Sequence, residues 1–393
     1  MQDVFIVGAA RTAIGTFGGS LKGLMPAELG TVAAKAAIAR AGVNPADIDN
    51  SVFGQVGPTE AHDAYLARRI GLAAGLPDTG IAHSVNRLCG SGAQAIVTAT
   101  QMIQLGESDI SLAGGAESMS NAPMVVNGMR WGTKMGNATV VDWLNATLHD
   151  PWGNGHMGCT GENVAARYGI SRERQDAYSV ESQRRAGAAI AEGRFKDQIA
   201  PIELKTRKGV VQFDTDEHPR PQTTMEDLAA LKPVFRKENG TVTAGNASGL
   251  NDAGAAVVLA SGDAVKAKGL TPIARIVASA AAGVAPDVMG LGPVEAVPIA
   301  LKRAGLTVAD MDVIESNEAF AVQSIAVADA LGFDPAKVNP NGGAVALGHP
   351  LGATGALLTV KAIYELKRIG GRYGLITMCI GGGQGIALII ENV

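Results

Sequence analysis

Aromatic residues are scarce in this chain, at 4% of its 393 residues. With a net charge of −4, there is no basic footprint for nucleic acid and little on which bases could stack. Cysteine is scarcer still. The three present are an odd number, with no metal-type spacing and no Cys-x-x-Cys pair, which excludes a disulfide framework and predicts a reducing compartment. No apolar run approaches the length of a membrane span. The N-terminus lacks signal-peptide character: Asp3 is acidic and the apolar run 4–10 is short. The last residues, Ile389-Ile390-Glu391-Asn392-Val393, are not a peroxisomal tripeptide. These absences predict a cytoplasmic protein with neither a nucleic-acid nor a membrane partner.

What is plentiful is apolar side chain, at 47%, and glycine, at 51 residues. The length suggests two or three units with ample core. The glycines are not periodic. They cluster in short motifs, where backbone must approach something closely or take a positive φ.

Strand-like and helix-like stretches alternate at the start. Strands are predicted over 4–8, 47–56, 81–85 and 110–113, and helices over 29–40, 64–74 and 93–105. This order predicts an α/β fold with a parallel sheet covered by helices. From about 120 to 248 the pattern loosens into Met, Trp, Asn, Pro and charged residues. Two helices, 162–168 and 172–192, stand out, the second opened by Ser171. The stretch 214–222, with Pro219 and Pro221, reads as loop.

The strand and helix register then returns as a repeat. Ala41-Gly42 is matched by Ala304-Gly305, Asp47 by Asp310 and Ser91-Gly92-Ala93 by Thr354-Gly355-Ala356, all at an offset of 263 (304 less 41, 310 less 47, 354 less 91). Val85-Asn86 resembles Val338-Asn339 at an offset of 253, so about ten residues are inserted between Asn339 and Thr354. The chain therefore reads as two similar α/β halves, 1–268 and 269–393, with a loop subdomain at about 120–248 carried by the first. In open α/β sheets, ligands bind beyond the carboxyl ends of strands. Two such halves packed together could aim both sets of ends at one site.

Four turns carry chemistry. Cys89 lies between the strand 81–85 and the helix that follows, where unpaired N–H groups and the helix dipole favour thiolate over thiol. The alternative is a small buried hydrophobe. Asn317 follows a strand-like run and is either a helix N-cap or an amide in an oxyanion site. His349, between Gly348 and Pro350, lies in a stretch with five glycines, a backbone fixed by proline and little bulk around it. That stretch lacks the Gly-Lys-Ser/Thr ending of a phosphate loop. Cys379 ends a strand on Gly381-Gly382-Gly383, whose N–H groups can donate to an anion. Two cysteines and a histidine on glycine-rich turns supply a nucleophile, bases and oxyanion donors. That inventory suits carbon–carbon bond formation between two thioesters.

Asn86-Arg87-Leu88-Cys89-Gly90-Ser91-Gly92, Asn317-Glu318-Ala319-Phe320, Gly348-His349-Pro350 and Cys379-Ile380-Gly381-Gly382-Gly383 together resemble the motif set of the thiolases. The resemblance runs over nearly the whole chain and includes Ala113-Gly114-Gly115-Ala116-Glu117-Ser118-Met119 and Ala244-Gly245-Asn246-Ala247-Ser248-Gly249-Leu250-Asn251-Asp252. His156-Met157-Gly158 resembles the biosynthetic acetyl-CoA acetyltransferases. Pro58-Thr59-Glu60 and Lys237-Glu238-Asn239-Gly240-Thr241 resemble the bacterial β-ketothiolases of polyhydroxyalkanoate synthesis.

The resemblance implies the thiolase fold, a five-layer αβαβα arrangement, in a homodimer or homotetramer. It implies reversible condensation of two acetyl-CoA or other short acyl-CoA, with coenzyme A as substrate and no permanently bound cofactor or metal. Cys89 would take the acyl group, with His349 as its base. Cys379 would take a proton from the α-carbon of the second acyl-CoA. Asn317, through a water, would share one oxyanion hole with His349, and the N–H groups of Cys89 and Gly381 would form the other. Around coenzyme A, Arg220 would lie near the adenine and phosphate end, and Ser248 would meet the pantetheine. Leu148, His156, Met157, Ala319 and Phe320 would line the tunnel, with Ala244 close by. Arg220 also reads as a solvated loop charge, and Met157 and Phe320 as plain core. The rivals are a degradative thiolase for longer 3-ketoacyl-CoAs, a ketosynthase-like enzyme with His or Glu in place of Cys379, and a non-catalytic acyl-binding protein. Two departures stand out: Asp227 in a stretch lacking the serine expected near the ribose, and Trp152-Gly153-Asn154-Gly155 before His156.

Overall fold

The computed structural model describes residues 2–207 and 209–393. The long strands are β1 (Val4–Arg11), β2 (Asn50–Gly54), β3 (Ile81–Val85), β4 (Ile110–Ser118), β5 (Asn251–Ser261), β6 (Ala274–Gly283), β7 (Val313–Ser316), β8 (Tyr373–Ile380) and β9 (Gln384–Asn392). The helices that matter here are α1 (Pro26–Ala41), α2 (Leu66–Ala73), α3 (Ser91–Gln104), α4 (Met157–Tyr168), α5 (Arg172–Ala191), α6 (Gly292–Ala304), α7 (Ala321–Leu331) and α8 (Leu351–Ile369).

Among the described residues, the strands form one path in the order β7-β8-β9-β6-β1-β5-β4-β2-β3, with Gly15–Thr16 pairing β5 at its side. The expected parallel sheet is corrected here. β2 runs parallel to β3 and β4, and β7 runs parallel to β8. The joins β4/β5, β5/β1, β1/β6, β6/β9 and β9/β8 are all antiparallel. All eleven residues of β5 and all nine of β4 are buried, so no polar alternation shows which way a neighbour runs.

The layering follows from what each helix covers. α1 and α2 pack on one face of the first half's strands through Ala33, Ala37, Ile38, Leu66 and Ile70. α6 covers the outer face of the second half's strands, Ile314, Leu375, Ala387 and Ile389 among them. α3 and α8 lie between the two strand sets, sharing a core with Val257, Leu259, Ile376 and Leu388. This is the expected five-layer αβαβα order. The duplication is visible in it: β2 and β7 start 263 apart (313 less 50), as do β4 and β8 (373 less 110).

Between β4 and β5 the chain builds the irregular region expected there, around α4, α5 and the hairpins Met124–Val126/Val140–Asp142 and Ile202–Thr206/Gly209–Phe213. The α5 N-cap is Ser171, whose hydroxyl accepts from Arg174 N at 3.3 Å. α4 starts five residues before the predicted start at 162. Gly158 and Gly161 weaken the helical pattern in sequence, yet Gly158 is needed for packing. A side chain at Gly158 would strike the Phe235 ring at 2.1 Å.

The contact between α3 and α8 is a close one, backbone against backbone. A Cβ on Gly355 would lie 2.2 Å from Ala93 N, and one on Gly92 would lie 2.8 Å from Ala356 N. Gly355→Val is therefore expected to cost about 3 kcal/mol or more in chemical denaturation, because backbone rather than a flexible side chain must yield. Gly262→Ala, whose nearest neighbour would be 3.6 Å away, should change stability by less than about 1 kcal/mol.

Candidate active site

β3 ends at Val85, and the chain turns before α3. Asn86 Oδ1 accepts from Leu88 N at 2.9 Å, closing the turn, and Leu88 takes a left-handed φ of 46°. Ser91, in the first turn of α3, accepts from Arg87 N at 2.9 Å and donates to Leu88 O at 2.6 Å. Cys89 is thus held out on a tight turn at a helix start, as its sequence implied. The second half meets it there. Arg87 donates to Gln384 Oε1 at 3.1 Å, and a Cβ on Gly90 would strike Ile380 at 2.5 Å.

Cys89, His349, Cys379 and Gly381 line one cavity, together with Leu148, His156, Met157, Ser248, Ala319 and Phe320. Its volume is about 110 Å³, a narrow space with mostly apolar walls. All ten were named from sequence. Met119, Leu250, Met289 and Leu351 also line it; nothing in their local pattern distinguished them from core. Arg220 and Ala244 are not in the lining and are exposed. Arg220 N donates to Gln183 Oε1 at 2.7 Å, which anchors the loop 214–222 to α5.

Asn317 is not an N-cap. Its backbone N–H donates to Thr377 O at 2.9 Å, extending the β7/β8 pairing, and the N-cap position of α7 is Phe320, three residues on. Its side chain is fully buried, with Nδ2 3.4 Å from His349 Nε2. The other ring nitrogen of His349, Nδ1, lies 2.7 Å from Thr354 Oγ1. His349 N donates to Asn251 Oδ1 at 3.0 Å, and Asn251 Nδ2 donates to Gly15 O at 3.0 Å, so a first-half strand residue fixes the second half's histidine.

Glu117 does similar work. Its carboxylate accepts from Val56 N and Gly57 N, both at 3.0 Å, and from Gly352 N at 2.7 Å, tying the end of β4 to the start of α8. Burial pushes Glu117 up to about 7. Glu117 and Asn251 lie within the family motifs but carry no role on sequence alone; for Glu117 the available signal was a single carboxylate in an otherwise uncharged strand.

The expected stabilisation of a Cys89 thiolate is overturned in the free protein. Burial pushes the Cys89 thiol up to about 11, outweighing the N–H groups of Gly381 and Cys89 that pull it down, and Glu117 adds to the rise. Burial, and then Cys89, push the Cys379 thiol further up. Burial holds His349 down to about 4, so it is neutral at pH 7. His156 is also held down to about 4, by burial and then by His149; it accepts from Gly158 N at 3.0 Å as the α4 N-cap and stacks on Phe235 at 4.7 Å. The site at rest therefore holds two thiols and a neutral imidazole base. A thiolate at Cys89 would have to form during a reaction rather than be stored at rest.

Known proteins resemble this chain in sequence and in structure. The sequence profile described as "Thiolase, N-terminal domain" matches residues 4–263, and that described as "Thiolase, C-terminal domain" matches 270–392. The chain is a thiolase. It is 58% identical over the full length of both chains to the beta-ketothiolase BktB of Cupriavidus necator. It is 49% identical, again over both whole chains, to an acetyl-CoA acetyltransferase of Pseudomonas aeruginosa. Its fold superposes on the crystal structure of human mitochondrial 3-ketoacyl-CoA thiolase in complex with CoA with a TM-score of 0.97, at 48% identity, covering 100% of this chain and 98% of the other.

The two departures noted in this thiolase have local explanations. Asp227 and Thr224 cap the helix Met225–Ala229 reciprocally, Thr224 N donating to Asp227 Oδ2 at 3.0 Å and Asp227 N to Thr224 Oγ1 at 3.2 Å. Asp150 gathers the turn after it, accepting from Trp152 N at 2.8 Å and Asn154 N at 2.9 Å, which lays the Trp152 ring against Gly382.

Because burial holds the proton on Cys89, its alkylation by iodoacetamide in the free enzyme should accelerate about tenfold per pH unit between about pH 7 and about pH 9. Mass spectrometry of the Cys89 peptide reads this. A rate that levels off below about pH 8 would mean that the thiolate is already formed at rest.

Proposed function

We propose that this thiolase condenses two short acyl-CoA molecules, typically two acetyl-CoA to acetoacetyl-CoA and coenzyme A, reversibly and through an acyl-Cys89 intermediate. The observation that carries this reading is the convergence of Cys89, His349, Cys379 and the Gly381 backbone on one narrow apolar cavity. The likeness to BktB and to the acetyl-CoA acetyltransferase supports the biosynthetic type.

The proton inventory gives an order of steps. Cys89 Sγ attacks the carbonyl carbon of the first acyl-CoA as its proton passes to His349 Nε2. The N–H groups of Cys89 and Gly381 receive the charge that forms on oxygen. The bond to the coenzyme A sulfur breaks, and that sulfur takes the Cys379 proton. Acyl-Cys89, protonated His349 and a Cys379 thiolate remain. A thiol pushed so far up is a strong base once its proton has gone. It takes a proton from the α-carbon of the second acyl-CoA, whose oxygen is held by His349 and, through a water, by Asn317. The carbanion attacks the acyl carbon, and Cys89 leaves with the proton that His349 kept. All three groups return to their resting forms.

Ser248, Leu148, His156, Met157, Ala319 and Phe320 would hold the pantetheine arm, with Ala244 and Arg220 outside the cavity toward the adenine and phosphate end. The halves 1–268 and 269–393 are then the two units whose strand ends meet at the site. A homodimer or homotetramer is part of the same proposal. It is supported by β3, which pairs on one side only and exposes Ile81 (56%), and by Trp131 and Met135 at 85% and 95% exposure. Among the described residues, no helix is long and apolar enough to cross a membrane, which is compatible with the cytoplasmic location proposed.

Incubation with acetyl-CoA alone should leave an acetyl adduct on the Cys89 peptide; no adduct on the folded protein would remove the enzymatic reading. Cys379→Ser should still acylate Cys89 but lose condensation by roughly 10²-fold or more. Across 3-ketoacyl-CoAs and coenzyme A, C4 and C5 substrates should be cleaved best. Efficient thiolysis of C8 with no condensation of acetyl-CoA would favour a degradative thiolase instead.

A further inference from the structure

The His349 imidazole is 4% exposed, so its proton cannot be placed by solvent; neighbouring atoms must place it. Thr354 Oγ1 lies 2.7 Å from Nδ1 and 3.0 Å from Pro350 O, and is itself 2% exposed. A carbonyl oxygen only accepts, and a hydroxyl has one proton to give. If Thr354 gave that proton to Nδ1, two oxygens would face each other 3.0 Å apart with no hydrogen between them. The hydroxyl therefore donates to Pro350 O and accepts from Nδ1–H. With the proton on Nδ1, the lone pair is on Nε2, where Asn317 Nδ2 can donate to it from 3.4 Å.

The repeat supports the same reading. Ser91 occupies the equivalent position, 263 residues earlier, and makes the same pair of bonds. It donates to a turn carbonyl, Leu88 O at 2.6 Å, and accepts from a turn N–H, Arg87 N at 2.9 Å. In the second half the accepted proton belongs to a ring instead of the backbone.

We propose that Thr354 is a positioning residue that fixes the His349 tautomer, keeping Nε2 unprotonated and ready to take the Cys89 proton. The inference rests on His349 being the base of the proposed reaction. It predicts that a hydroxyl, and not merely the right volume, is required at 354.

The test compares Thr354→Val, which keeps the shape, with Thr354→Ser, which keeps the hydroxyl, and with His349→Ala. Acetoacetyl-CoA thiolysis is measured on the intact enzyme. Thr354→Val should lower kcat by roughly 10- to 100-fold with KM for coenzyme A within about twofold. Thr354→Ser should stay within about threefold of the parent in both. A Thr354→Val enzyme with parental kcat, a loss confined to KM, or a Thr354→Ser enzyme as slow as the valine variant each overturn the proposal. If the valine variant does not fold, Thr354→Ala against Thr354→Ser gives the same comparison. His349→Ala keeps the two levels apart: full activity there would sink the proposed mechanism, whereas the serine and valine pair addresses the tautomer alone.

Discussion

The close crossing of α3 and α8 is the constraint on which the site depends. Gly92 and Gly355 stand at equivalent places in the two halves, and each is pressed against the backbone of the other helix. With no Cβ at either place the helix axes come close enough for their N-termini to open on one cavity. The Cys89 turn precedes one helix and the His349 turn precedes the other. Strand pairing alone would not do this, because β1 and β6 join the two halves through only two residue pairs, Phe5 with Arg275 and Ile6 with Ala274. The central helix layer therefore sets the distance between the Cys89 turn and the His349 turn.

The same packing sets the chemistry by excluding water. Each reacting group carries its proton where burial prefers it: thiols protonated, imidazole neutral. The backbone donors expected to favour thiolate are present and act in that direction, but desolvation outweighs them. An arrangement of this kind avoids storing charge in an apolar cavity. In the proposed reaction charge appears only when a thioester carbonyl is there to receive it, and the N–H groups of Cys89 and Gly381, which already act on the Cys89 thiol, would receive it.

Much of this was legible in the chain. Cys89, Asn317 and Cys379 follow strand-like runs, and the two cysteines and His349 sit among glycines, which made them candidates; the resemblance to the thiolases gave them their roles, and His349 in fact follows the short helix Ala344–Leu347 rather than a strand. The strand 81–85 was found to the residue. What could not be read depends on partners distant in sequence. The antiparallel joins were hidden because strands buried on both faces look alike in either direction. The start of α4 was hidden by Gly158 and Gly161; the reason for the first lies in the Phe235 ring, distant in sequence. The upward shift of Cys89 was hidden because the residues packed around it, Val56, Met119, Leu144 and Leu351 among them, are distant from it in sequence.

The two halves have diverged at the residues that matter, and the offsets show how. Asn339 matches Asn86 at 253, and Thr354 matches Ser91 at 263, so His349 lies within about ten residues that the first half lacks. Val338 bridges Ile314 in parallel, as β3 pairs with β2, which places the matched asparagines at equivalent sheet edges. The inserted residues include the short helix Ala344–Leu347 and the turn into Pro350. Two before Thr354, at the counterpart of Cys89, stands Gly352, where a Cβ would strike Gln55 Cα and Glu117 Oε2 at 2.7 Å. A second nucleophile has no room there: the Glu117 carboxylate fills the place and binds the Gly352 N–H. Duplication supplied two helix starts facing one cavity. With a carboxylate filling one slot and a longer loop carrying a histidine before it, the two turns are no longer alike: one presents the Cys89 thiol and the other the His349 ring.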